Sequence, residues 1–217
     1  MKRFLICILM TLLLLPTYGS ERKKVGLVLG GGGAKGVAHI GVLKVLEEAQ
    51  IPIDYIAGTS MGAIVGGLYA IGYHAAEIDS MVRRQDWALL LSDQVKRSEL
   101  TFPEKENAER YIVSLPFGKE KKDRTISGVI KGQNLQNLFS ELTVGYHDFK
   151  DFNQFPIPFA CVAVDLVDGR EYVFRKGSLP LAMRSSMAIP AVFTPIHLDS
   201  MVLVDGGLSN NYPADVA

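Results

Sequence analysis

Two short apolar segments of the chain each lead directly into a glycine-rich turn and then into a segment with helical spacing. The first segment covers residues 25–29 and is followed by glycines at positions 30–33. The second covers residues 53–57 and is followed by a turn over residues 58–62. Short apolar runs that contain β-branched residues and precede helices are typical of buried parallel strands. The repeated order of strand, turn and helix therefore predicts an α/β fold with a mostly parallel central sheet flanked by helices.

The same reasoning places further elements along the chain. It predicts helices over residues 34–50, 63–71, 77–91 and 135–142, and strands over residues 110–115, 159–164, 171–174 and 201–204. Asp168 and Gly169 predict a hairpin turn before the strand over residues 171–174, and Ser178 is expected to cap a short helix. No internal repeat and no linker interrupts the sequence, so one domain over residues 25–217 is expected.

Composition and charge exclude several classes of function. Hydrophobic residues make up 48% of the chain and charged residues 21%. These ordinary values exclude the disordered and collagen-like classes. Lys and Arg together number 23, as do Asp and Glu, so no basic field exists that would favour binding to nucleic acid. No spacing of His, Cys, Asp or Glu suggests a metal site, and no cofactor is expected.

Residues 1–19 are expected to form a secretory signal peptide outside the domain. Lys2 and Arg3 precede an almost wholly apolar run over residues 4–15, and small residues follow it. A core helix or membrane anchor is the alternative, but the run is too short for a bilayer, which requires about 20 residues. Removal of the peptide would leave Cys161 as the only cysteine. Export without an intrachain disulfide favours a bacterial periplasm, outer membrane or exterior.

Ser60 is the candidate nucleophile. It is the central residue of a G-x-S-x-G turn between a predicted strand and a predicted helix, which is the context of a nucleophile elbow. Such a turn is so tight that Gly58 and Gly62, two residues before and after the serine, must lack bulky side chains. Ser60 would also lie at a helix N-terminus, where the helix dipole stabilises negative charge. The pattern also arises by chance, and in that case Ser60 only caps a helix.

Gly31, Gly32 and Gly33 are expected to form an oxyanion hole. A serine nucleophile requires a base together with hydrogen-bond donors for the developing oxyanion. Consecutive glycines allow backbone N–H groups to converge on one point, and they leave the approach of an acyl group unobstructed. Lys35 adds positive charge near the same turn.

The same loop also matches a nucleotide-binding pattern. Gly31, Gly33 and Gly36 form a G-x-G-x-x-G sequence between a predicted strand and a predicted helix, as in dinucleotide-binding proteins. That fingerprint requires an acidic residue at the far end of the second strand, whereas Asp54 lies near its start. A P-loop is excluded because Lys35 is followed by glycine rather than by Ser or Thr. A nucleotide-binding module therefore remains an alternative function.

Asp205 is the candidate general base. It follows the predicted strand over residues 201–204 and precedes Gly206 and Gly207. Because the carboxyl ends of parallel strands share one edge of a sheet, Asp205 is expected at the same edge as the two glycine turns. The two glycines would keep its surroundings open, so that the carboxylate can approach Ser60. Asp-Gly is also a common turn dipeptide, and a plain turn is the alternative.

Three other features have more than one interpretation. Ser60, Asp165 and His197 occur in the chain order of an α/β-hydrolase triad, although the position of His197 within a predicted strand favours a structural histidine. Arg184 could position a phosphate group or pair with a surface carboxylate. The apolar stretch over residues 87–91 could line an acyl pocket or contact a membrane, and its assignment to the core is preferred.

Several motifs together resemble one protein family. Residues 30–36, 58–62 and 205–207 resemble the three signature blocks of the patatin-like phospholipases, and residues 184–190 and 193–195 resemble further blocks. The resemblance extends from residue 25 to the end of the chain. It implies that Ser60 is the nucleophile, that Asp205 is its base in a Ser-Asp dyad without histidine, and that the glycine loop is the oxyanion hole.

The resemblance also implies a substrate and a location. The expected reaction is the hydrolysis of acyl esters of phospholipids or other lipids at a membrane surface. Some exported bacterial members of the family continue into an outer-membrane β-barrel, and this chain ends just after Pro213, where a helix is expected to begin. A longer protein is therefore expected. A non-catalytic passenger domain of an outer-membrane protein is a further alternative.

Overall fold

The structure, a computed structural model, describes residues 22–95, 101–102 and 130–217. Within these residues six strands form one sheet: β1 (Gly26–Leu29), β2 (Tyr55–Thr59), β3 (Phe159–Asp165), β4 (Glu171–Phe174), β5 (Ile196–Leu198) and β6 (Met201–Asp205). The strand order is β1-β2-β3-β6-β5, and β4 pairs with β3 outside this path. β1, β2 and β3 are parallel, whereas β4 and β6 pair antiparallel with β3, and β5 pairs antiparallel with β6.

Helices flank this mixed sheet. In the described part of the chain they are α1 (Ala38–Glu48), α2 (Met61–Ala70), α3 (Ala75–Arg84), α4 (Trp87–Leu90), α5 (Gln133–Leu142) and α6 (Leu179–Ser186). Short 3₁₀ turns precede α1 (Gly33–Val37) and follow β6 (Gly206–Leu208). The predicted α/β class, with a central sheet flanked by helices, is confirmed.

β3 is the central strand and determines the position of the site. All seven of its residues are buried, as a near-continuous apolar sequence predicts. One edge of β3 pairs with β4 over residues 161–164. The other edge pairs first with β2, where Thr59 lies opposite Val162, and then with β6, where Asp205 lies opposite Ala163. The carboxyl ends of β2 and β6 therefore meet head-on along one edge of β3.

α2 packs against the parallel strands at very short range. Small residues allow this approach: a Cβ added at Gly66 would lie 2.9 Å from Cγ2 of Ile56. Leu29, Ile56 and Phe159, one from each parallel strand, form the buried layer beneath the helix. Burial of each large apolar side chain contributes about 1.5–3 kcal/mol. The first turn of α2 is thereby held at the carboxyl ends of β1 and β2.

Several element boundaries differ from the prediction, and two of the differences have a local physical reason. β2 continues to Thr59, two residues further than predicted, because its pairing with β1 reaches Gly58 and its pairing with β3 reaches Thr59. The helix predicted over residues 77–91 is divided into α3 and α4. Gln85 has an extended backbone (φ −75°, ψ 139°), and Asp86 starts the second helix by accepting a hydrogen bond from the N–H of Leu89 at 3.1 Å.

Other predictions have mixed outcomes. The hairpin predicted at Asp168 and Gly169 joins β3 to β4 and is confirmed. Ser178 occupies the N-cap position of α6, but its side chain makes no capping hydrogen bond. The strand predicted over residues 110–115 and the signal peptide over residues 1–19 lie outside the described residues. None of the helices in the described part of the chain has the length and hydrophobicity that a bilayer crossing requires.

Candidate active site

Ser60 lies in the tight turn between β2 and α2. Its backbone has φ 55° and ψ −120°, and positive φ is uncommon outside glycine. A Cβ added at Gly62 would lie 2.0 Å from the carbonyl oxygen of Leu29, and one at Gly58 would lie 2.5 Å from the carbonyl oxygen of Gly62. The turn therefore closes only with glycine at both positions, and it presents Ser60 at the N-terminus of α2.

Ser60 contacts Asp205 directly. Ser60 Oγ donates a hydrogen bond to Asp205 Oδ2 at 2.6 Å, and the backbone N–H of Gly207 donates to the other carboxylate oxygen, Oδ1, at 2.7 Å. Both residues are almost fully buried, with exposed fractions of 5% for Ser60 and 7% for Asp205. The serine hydroxyl is thus aligned on a carboxylate whose second oxygen is fixed by a backbone amide.

Strand direction explains this contact, but not in the way that the sequence predicts. The expectation that Asp205 lies at the shared carboxyl edge of parallel strands is wrong, because β6 runs antiparallel to β3. Asp205 pairs with Ala163, and the preceding residue, Val162, pairs with Thr59. Since β2 and β6 end at adjacent positions on one edge of β3, Ser60 and Asp205 meet between the two strand ends.

Burial changes the acid–base behaviour of Asp205. Desolvation raises the pKa of its carboxyl group above the ordinary value of 3.8, while the hydrogen bonds from Ser60 and from the Gly207 amide offset part of this rise. Desolvation has this effect because it disfavours the charged form. Asp205 is therefore a stronger base than an exposed aspartate.

The glycines after Asp205 allow its close approach to β3. A Cβ added at Gly206 would lie 2.3 Å from the carbonyl oxygen of Val162. One added at Gly207 would lie 3.0 Å from Asp205 Oδ1. A larger residue at Gly206 would displace Asp205 from Ser60.

Asn211 holds the glycine loop beside Ser60. The Gly31 N–H donates to the backbone carbonyl oxygen of Asn211 at 3.2 Å, and the Asn211 side-chain amide donates back to the Gly31 carbonyl oxygen at 3.3 Å. A Cβ added at Gly31 would lie 3.0 Å from Ser60 Cβ, so the loop lies against the candidate nucleophile. The prediction that the Gly31 amide faces an oxyanion has to be corrected, because this N–H is already bonded.

Gly32 and Gly33 are the two predicted donors that remain available. Neither N–H has an acceptor among the residues that the structure describes. Gly33, at φ 53°, lines the same cavity as Ser60. Gly36 packs against the residue that follows the nucleophile, since an added Cβ would lie 2.5 Å from Met61 Cγ. The loop therefore keeps two amides without acceptors among the described residues, and one of them, that of Gly33, belongs to a residue that lines the same cavity as Ser60.

The alternative triad is not assembled. Asp165 Oδ1 accepts hydrogen bonds from the N–H groups of Val167 at 3.0 Å and Val202 at 2.9 Å. His197 is exposed on β5, where it pairs with Val202, three residues before Asp205. Asp165 therefore fixes the backbone of two strand ends, and His197 is a surface residue.

The geometry of Asp54 argues against the nucleotide-binding alternative. Asp54 Oδ2 accepts the N–H of Val25 at 2.7 Å, and the carboxylate also pairs with Arg22. These contacts lie at the start of β2, whereas Ser60 follows its end. The carboxylate is therefore engaged at the amino ends of these strands, whereas the glycine loop lies at their carboxyl ends.

Ser60 also lines an apolar cavity of about 510 Å³. This volume lies within the range of about 300–1,000 Å³ that small-ligand pockets have. No charged residue is found among its described lining, which includes Ile64, Leu68, Ile78, Leu135, Leu138 and Phe139. Trp87 and Leu91 line the cavity and are 38% and 44% exposed. The assignment of residues 87–91 to the core is therefore wrong at these two positions, although Leu90 is buried.

The side chain of Arg184 is buried and contacts backbone groups of the protein. It is only 1% exposed, and its guanidinium donates to the carbonyl oxygens of Lys131 at 2.8 Å and Thr194 at 3.1 Å. The guanidinium also lies 5.1 Å from the ring centroid of Phe193, and burial lowers its pKa. Both interpretations of Arg184 from the sequence are wrong, because the group is inaccessible and is bonded to backbone carbonyls.

Neither the thiol of Cys161 nor a metal site in the described part of the chain competes with Ser60. Cys161 is buried in β3, and burial raises the pKa of its thiol. Within the described residues, no three His, Cys, Asp or Glu side chains are grouped so that they could hold a metal ion. The chemistry that the described site offers is that of Ser60, Asp205 and backbone amides.

Two residues that hold this site are not identified by sequence reasoning. Ser186 Oγ accepts a hydrogen bond from the backbone N–H of Ser60 at 2.9 Å, and Asn211 holds the glycine loop. The available signal for Ser186 was its place in the block over residues 184–190. No sequence signal pointed to Asn211, which lies 180 residues from Gly31.

Comparison with known proteins shows the family of this chain. Residues 27–217 match the model of the patatin-like phospholipase family. The chain belongs to the patatin-like phospholipase family. An uncharacterized NTE family protein of Mycobacterium bovis is 35% identical over 197 residues, which are 90% of this chain and 46% of that protein. Patatin-like phospholipase domain-containing protein 6 of Mus musculus is 33% identical over 196 residues, which are 89% of this chain and 12% of that protein.

The fold of this patatin-like chain also resembles a solved structure. The crystal structure of VipD from Legionella pneumophila gives a TM-score of 0.57 and covers 88% of this chain and 47% of that chain, at 15% identity. At this identity the similarity concerns the fold alone. The patatin-like chain spans less than half the length of both curated relatives.

Proposed function

We propose that this patatin-like domain is a lipid acyl hydrolase, which cleaves carboxylic esters of phospholipids or other acyl lipids. The observation that carries the proposal is the 2.6 Å hydrogen bond from Ser60 Oγ to Asp205 Oδ2, where Ser60 itself lines an apolar cavity. The pair supplies a nucleophile and a base, and the cavity offers a site for an acyl chain. Membership of the family supports the same class of reaction.

In the proposed first step, Ser60 Oγ attacks the carbonyl carbon of the bound ester while its proton passes to Asp205 Oδ2 along the existing hydrogen bond. The carbonyl electron pair moves onto oxygen and forms a tetrahedral oxyanion. Collapse of this intermediate expels the alcohol, which takes the proton from Asp205, and leaves the acyl group on Ser60. The raised pKa of Asp205, caused by burial, favours the initial proton transfer.

The second step returns the enzyme to its starting state. A water molecule attacks the acyl carbon, and Asp205 takes one of its protons. Ser60 leaves as the tetrahedral intermediate collapses and recovers a proton from Asp205, and the fatty acid is released. One carboxylate thus serves both half-reactions, and no histidine is needed.

The oxyanion in both steps would be stabilised by the N–H groups of Gly32 and Gly33. Both amides lack acceptors among the described residues, and Gly33 borders the same cavity as Ser60. A well-placed donor contributes roughly 10²–10³ in rate. The N-terminus of α2, which begins after Ser60, adds favourable dipole charge.

The cavity and its rim favour a lipid substrate. The rim includes Trp87, Leu91, Ile189 and Val192, which line the cavity and are exposed at the surface. Apolar groups at an opening suit an acyl chain that leaves a membrane surface. We further propose that residues 1–19 direct export, so that the substrate is a lipid of the bacterial envelope or of an external membrane.

The proposal is tested by fatty acid release from phosphatidylcholine vesicles and by hydrolysis of the soluble ester p-nitrophenyl butyrate. We expect Ser60→Ala to lose at least about 10³ in turnover of both substrates. Ser178→Ala, which removes an exposed hydroxyl without a capping role, is the control and should retain wild-type turnover. Addition of EDTA should leave hydrolysis of the soluble ester unchanged.

Two outcomes would contradict this proposal. A folded wild-type protein that hydrolyses neither substrate would favour a non-catalytic domain. Activity that EDTA abolishes and a divalent ion restores would show that the reaction depends on a metal ion rather than on Ser60 and Asp205 alone.

A further inference from the structure

We propose that Ser186 is a positioning residue of this site: its hydroxyl fixes the backbone of Ser60 in the conformation in which Ser60 Oγ faces Asp205. The inference rests on the proposed function for its kinetic consequences, but the contact itself is independent of it. Ser186 is the last residue of α6 and is fully buried. It is not among the residues that line the cavity, so it would act through Ser60.

The backbone of Ser60 needs an external constraint. Its φ of 55° and ψ of −120° are unfavourable for a residue with a side chain, and such conformations persist only where the surroundings enforce them. The Ser60 N–H donates to Ser186 Oγ at 2.9 Å. The Ser60 carbonyl oxygen accepts the first hydrogen bonds of α2, from the N–H groups of Ala63 and Ile64. Helix α2 therefore holds Ser60 through its carbonyl oxygen, and the Ser186 hydroxyl holds it through its N–H.

The Ser186 hydroxyl is itself held in one orientation. It donates its proton to the carbonyl oxygen of Val162 at 2.6 Å and is therefore left with lone pairs to accept from Ser60. The same carbonyl oxygen lies against Gly206, where an added Cβ would come within 2.3 Å. The hydroxyl therefore bridges the backbone of the nucleophile to the point of β3 on which the segment after Asp205 packs.

The turn after Ser186 also holds Asp205. The backbone N–H of Asp205 donates to the carbonyl oxygen of Ala188 at 3.0 Å, two residues beyond Ser186. One turn at the end of α6 thus binds the backbones of both members of the pair. The separation of Ser60 Oγ from Asp205 Oδ2 depends on this turn, although neither side chain belongs to it.

Ser185 provides a matched control. It is fully buried like its neighbour, but its Oγ donates to the carbonyl oxygen of Leu181 within α6 at 2.8 Å. Ser185→Ala therefore removes a buried hydroxyl from the same helix without touching Ser60. A loss that is specific to Ser186→Ala cannot come from the removal of a buried hydroxyl in general.

The kinetic test compares Ser186→Ala with Ser185→Ala in the hydrolysis of p-nitrophenyl butyrate. A small misplacement of a reacting group costs up to about 10² in rate. We expect kcat of Ser186→Ala to fall by about 10–100-fold with KM changed by less than about threefold, because binding in the cavity is unaffected. Ser185→Ala should keep kcat within about threefold of wild type. Equal kcat values for the two variants would overturn the proposal.

A second pair of variants covers the case in which an alanine variant does not fold. Ser186→Cys and Ser185→Cys keep the approximate volume of the side chain but replace the hydroxyl by a thiol, which is a weaker donor and acceptor. We expect only Ser186→Cys to lose kcat, and by less than Ser186→Ala. Equal kcat values for the two cysteine variants would likewise overturn the proposal.

Hydrogen exchange at the Ser60 amide separates this inference from the proposed function. NMR should show that this amide exchanges at least about tenfold faster in Ser186→Ala than in wild type, and at the wild-type rate in Ser185→Ala. The result does not require that the protein hydrolyse any ester. If wild type is inactive but the exchange difference is found, the proposed function fails and the positioning contact stands. Unchanged exchange in Ser186→Ala would overturn the contact itself.

Discussion

Replacing Asp205 by asparagine separates a catalytic role of this residue from a structural one. Asparagine has nearly the same shape, and its Oδ1 atom can accept the hydrogen bond from the Gly207 amide that Asp205 Oδ1 accepts at 2.7 Å. Its Nδ2 atom then takes the place of Oδ2, which accepts from Ser60 Oγ at 2.6 Å. Since an amide nitrogen donates and does not accept, the serine proton loses its acceptor while the fold keeps its contacts.

The expected loss of activity follows from the value of general-base catalysis. Such assistance contributes about 10²–10⁴ in rate, which corresponds to about 2.7–5.4 kcal/mol of transition-state stabilisation. We therefore expect kcat/KM of Asp205→Asn to fall by at least about 10². The double variant with Ser60→Ala should be little worse than Ser60→Ala alone, because the two residues act as one unit.

Stability should not fall in parallel with activity. Because burial raises the pKa of Asp205, the folded protein binds this proton more tightly than the unfolded chain does. Ionisation of Asp205 therefore lowers the free energy of unfolding as pH rises above the unfolded-state pKa. A neutral asparagine removes this unfavourable contribution at neutral pH. Asp205→Asn is therefore expected to unfold at or above the wild-type temperature at pH 7.

Asp165 provides the matched control for this substitution. It is 9% exposed compared with 7% for Asp205, and its Oδ1 accepts both of its backbone hydrogen bonds. Asparagine at this position would keep both bonds. The assay is hydrolysis of p-nitrophenyl butyrate, with circular dichroism and thermal unfolding recorded for each variant. We expect Asp165→Asn to retain kcat/KM within about threefold of wild type.

One pattern of results would refute the assignment of Asp205. If Asp205→Asn is close to wild type while Asp165→Asn or His197→Gln loses about 10³ in kcat/KM, the Ser-Asp-His triad replaces the dyad. The histidine variant matters because His197 lies exposed on β5, where its substitution should leave both folding and activity unchanged.

Three further measurements test the turn at Ser60, the oxyanion hole and the burial of Asp205. Gly62→Ala should lower the unfolding temperature strongly, because its Cβ would lie 2.0 Å from the Leu29 carbonyl oxygen. The control is Gly41→Ala, whose Cβ would lie in open space within α1 and which should raise the free energy of unfolding by about 0.5–1 kcal/mol. If calorimetry gives the same change in unfolding temperature for Gly62→Ala and Gly41→Ala, the packing of the turn is contradicted. Gly32→Val should fold, since its Cβ meets nothing closer than 3.5 Å. It should lose most of its turnover, because the side chain would obstruct the approach of the acyl group. Wild-type turnover in this variant would exclude Gly32 from the oxyanion hole. The acid limb of kcat/KM should lie above pH 3.8, because the base must be ionised and burial raises the pKa of Asp205; a limb at or below this pH would contradict its burial.

The parts of the site that the sequence predicts correctly depend on residues close together in the chain. The strand, turn and helix around Ser60 follow from the spacing of Gly58 and Gly62, because only this spacing lets the turn close. The β3–β4 hairpin at Asp168 and Gly169 follows from local turn chemistry in the same way. Each pattern contains all of the residues that determine the structure.

The features that sequence reasoning misses depend on distant parts of the chain. An apolar strand has the same pattern in either direction, so the antiparallel pairing of β6 with β3 is not visible in its residues. The contacts of Gly31 with Asn211 and of Ser60 with Ser186 join residues 180 and 126 positions apart. The break between α3 and α4 is local, but the apolar spacing continues through Asp86 and conceals it.

Covalent labelling with a fluorophosphonate probe measures the activation of Ser60 most directly, because the probe requires a nucleophilic serine and no particular lipid. Intact-mass analysis and peptide mapping would identify the labelled residue, and the time course would give the rate. We predict a single adduct, on Ser60, which forms at equal rates in wild type and Asp165→Asn and at least about 10² more slowly in Asp205→Asn. A folded wild-type protein without an adduct, or with the adduct on another residue, would contradict the proposal that Asp205 activates Ser60.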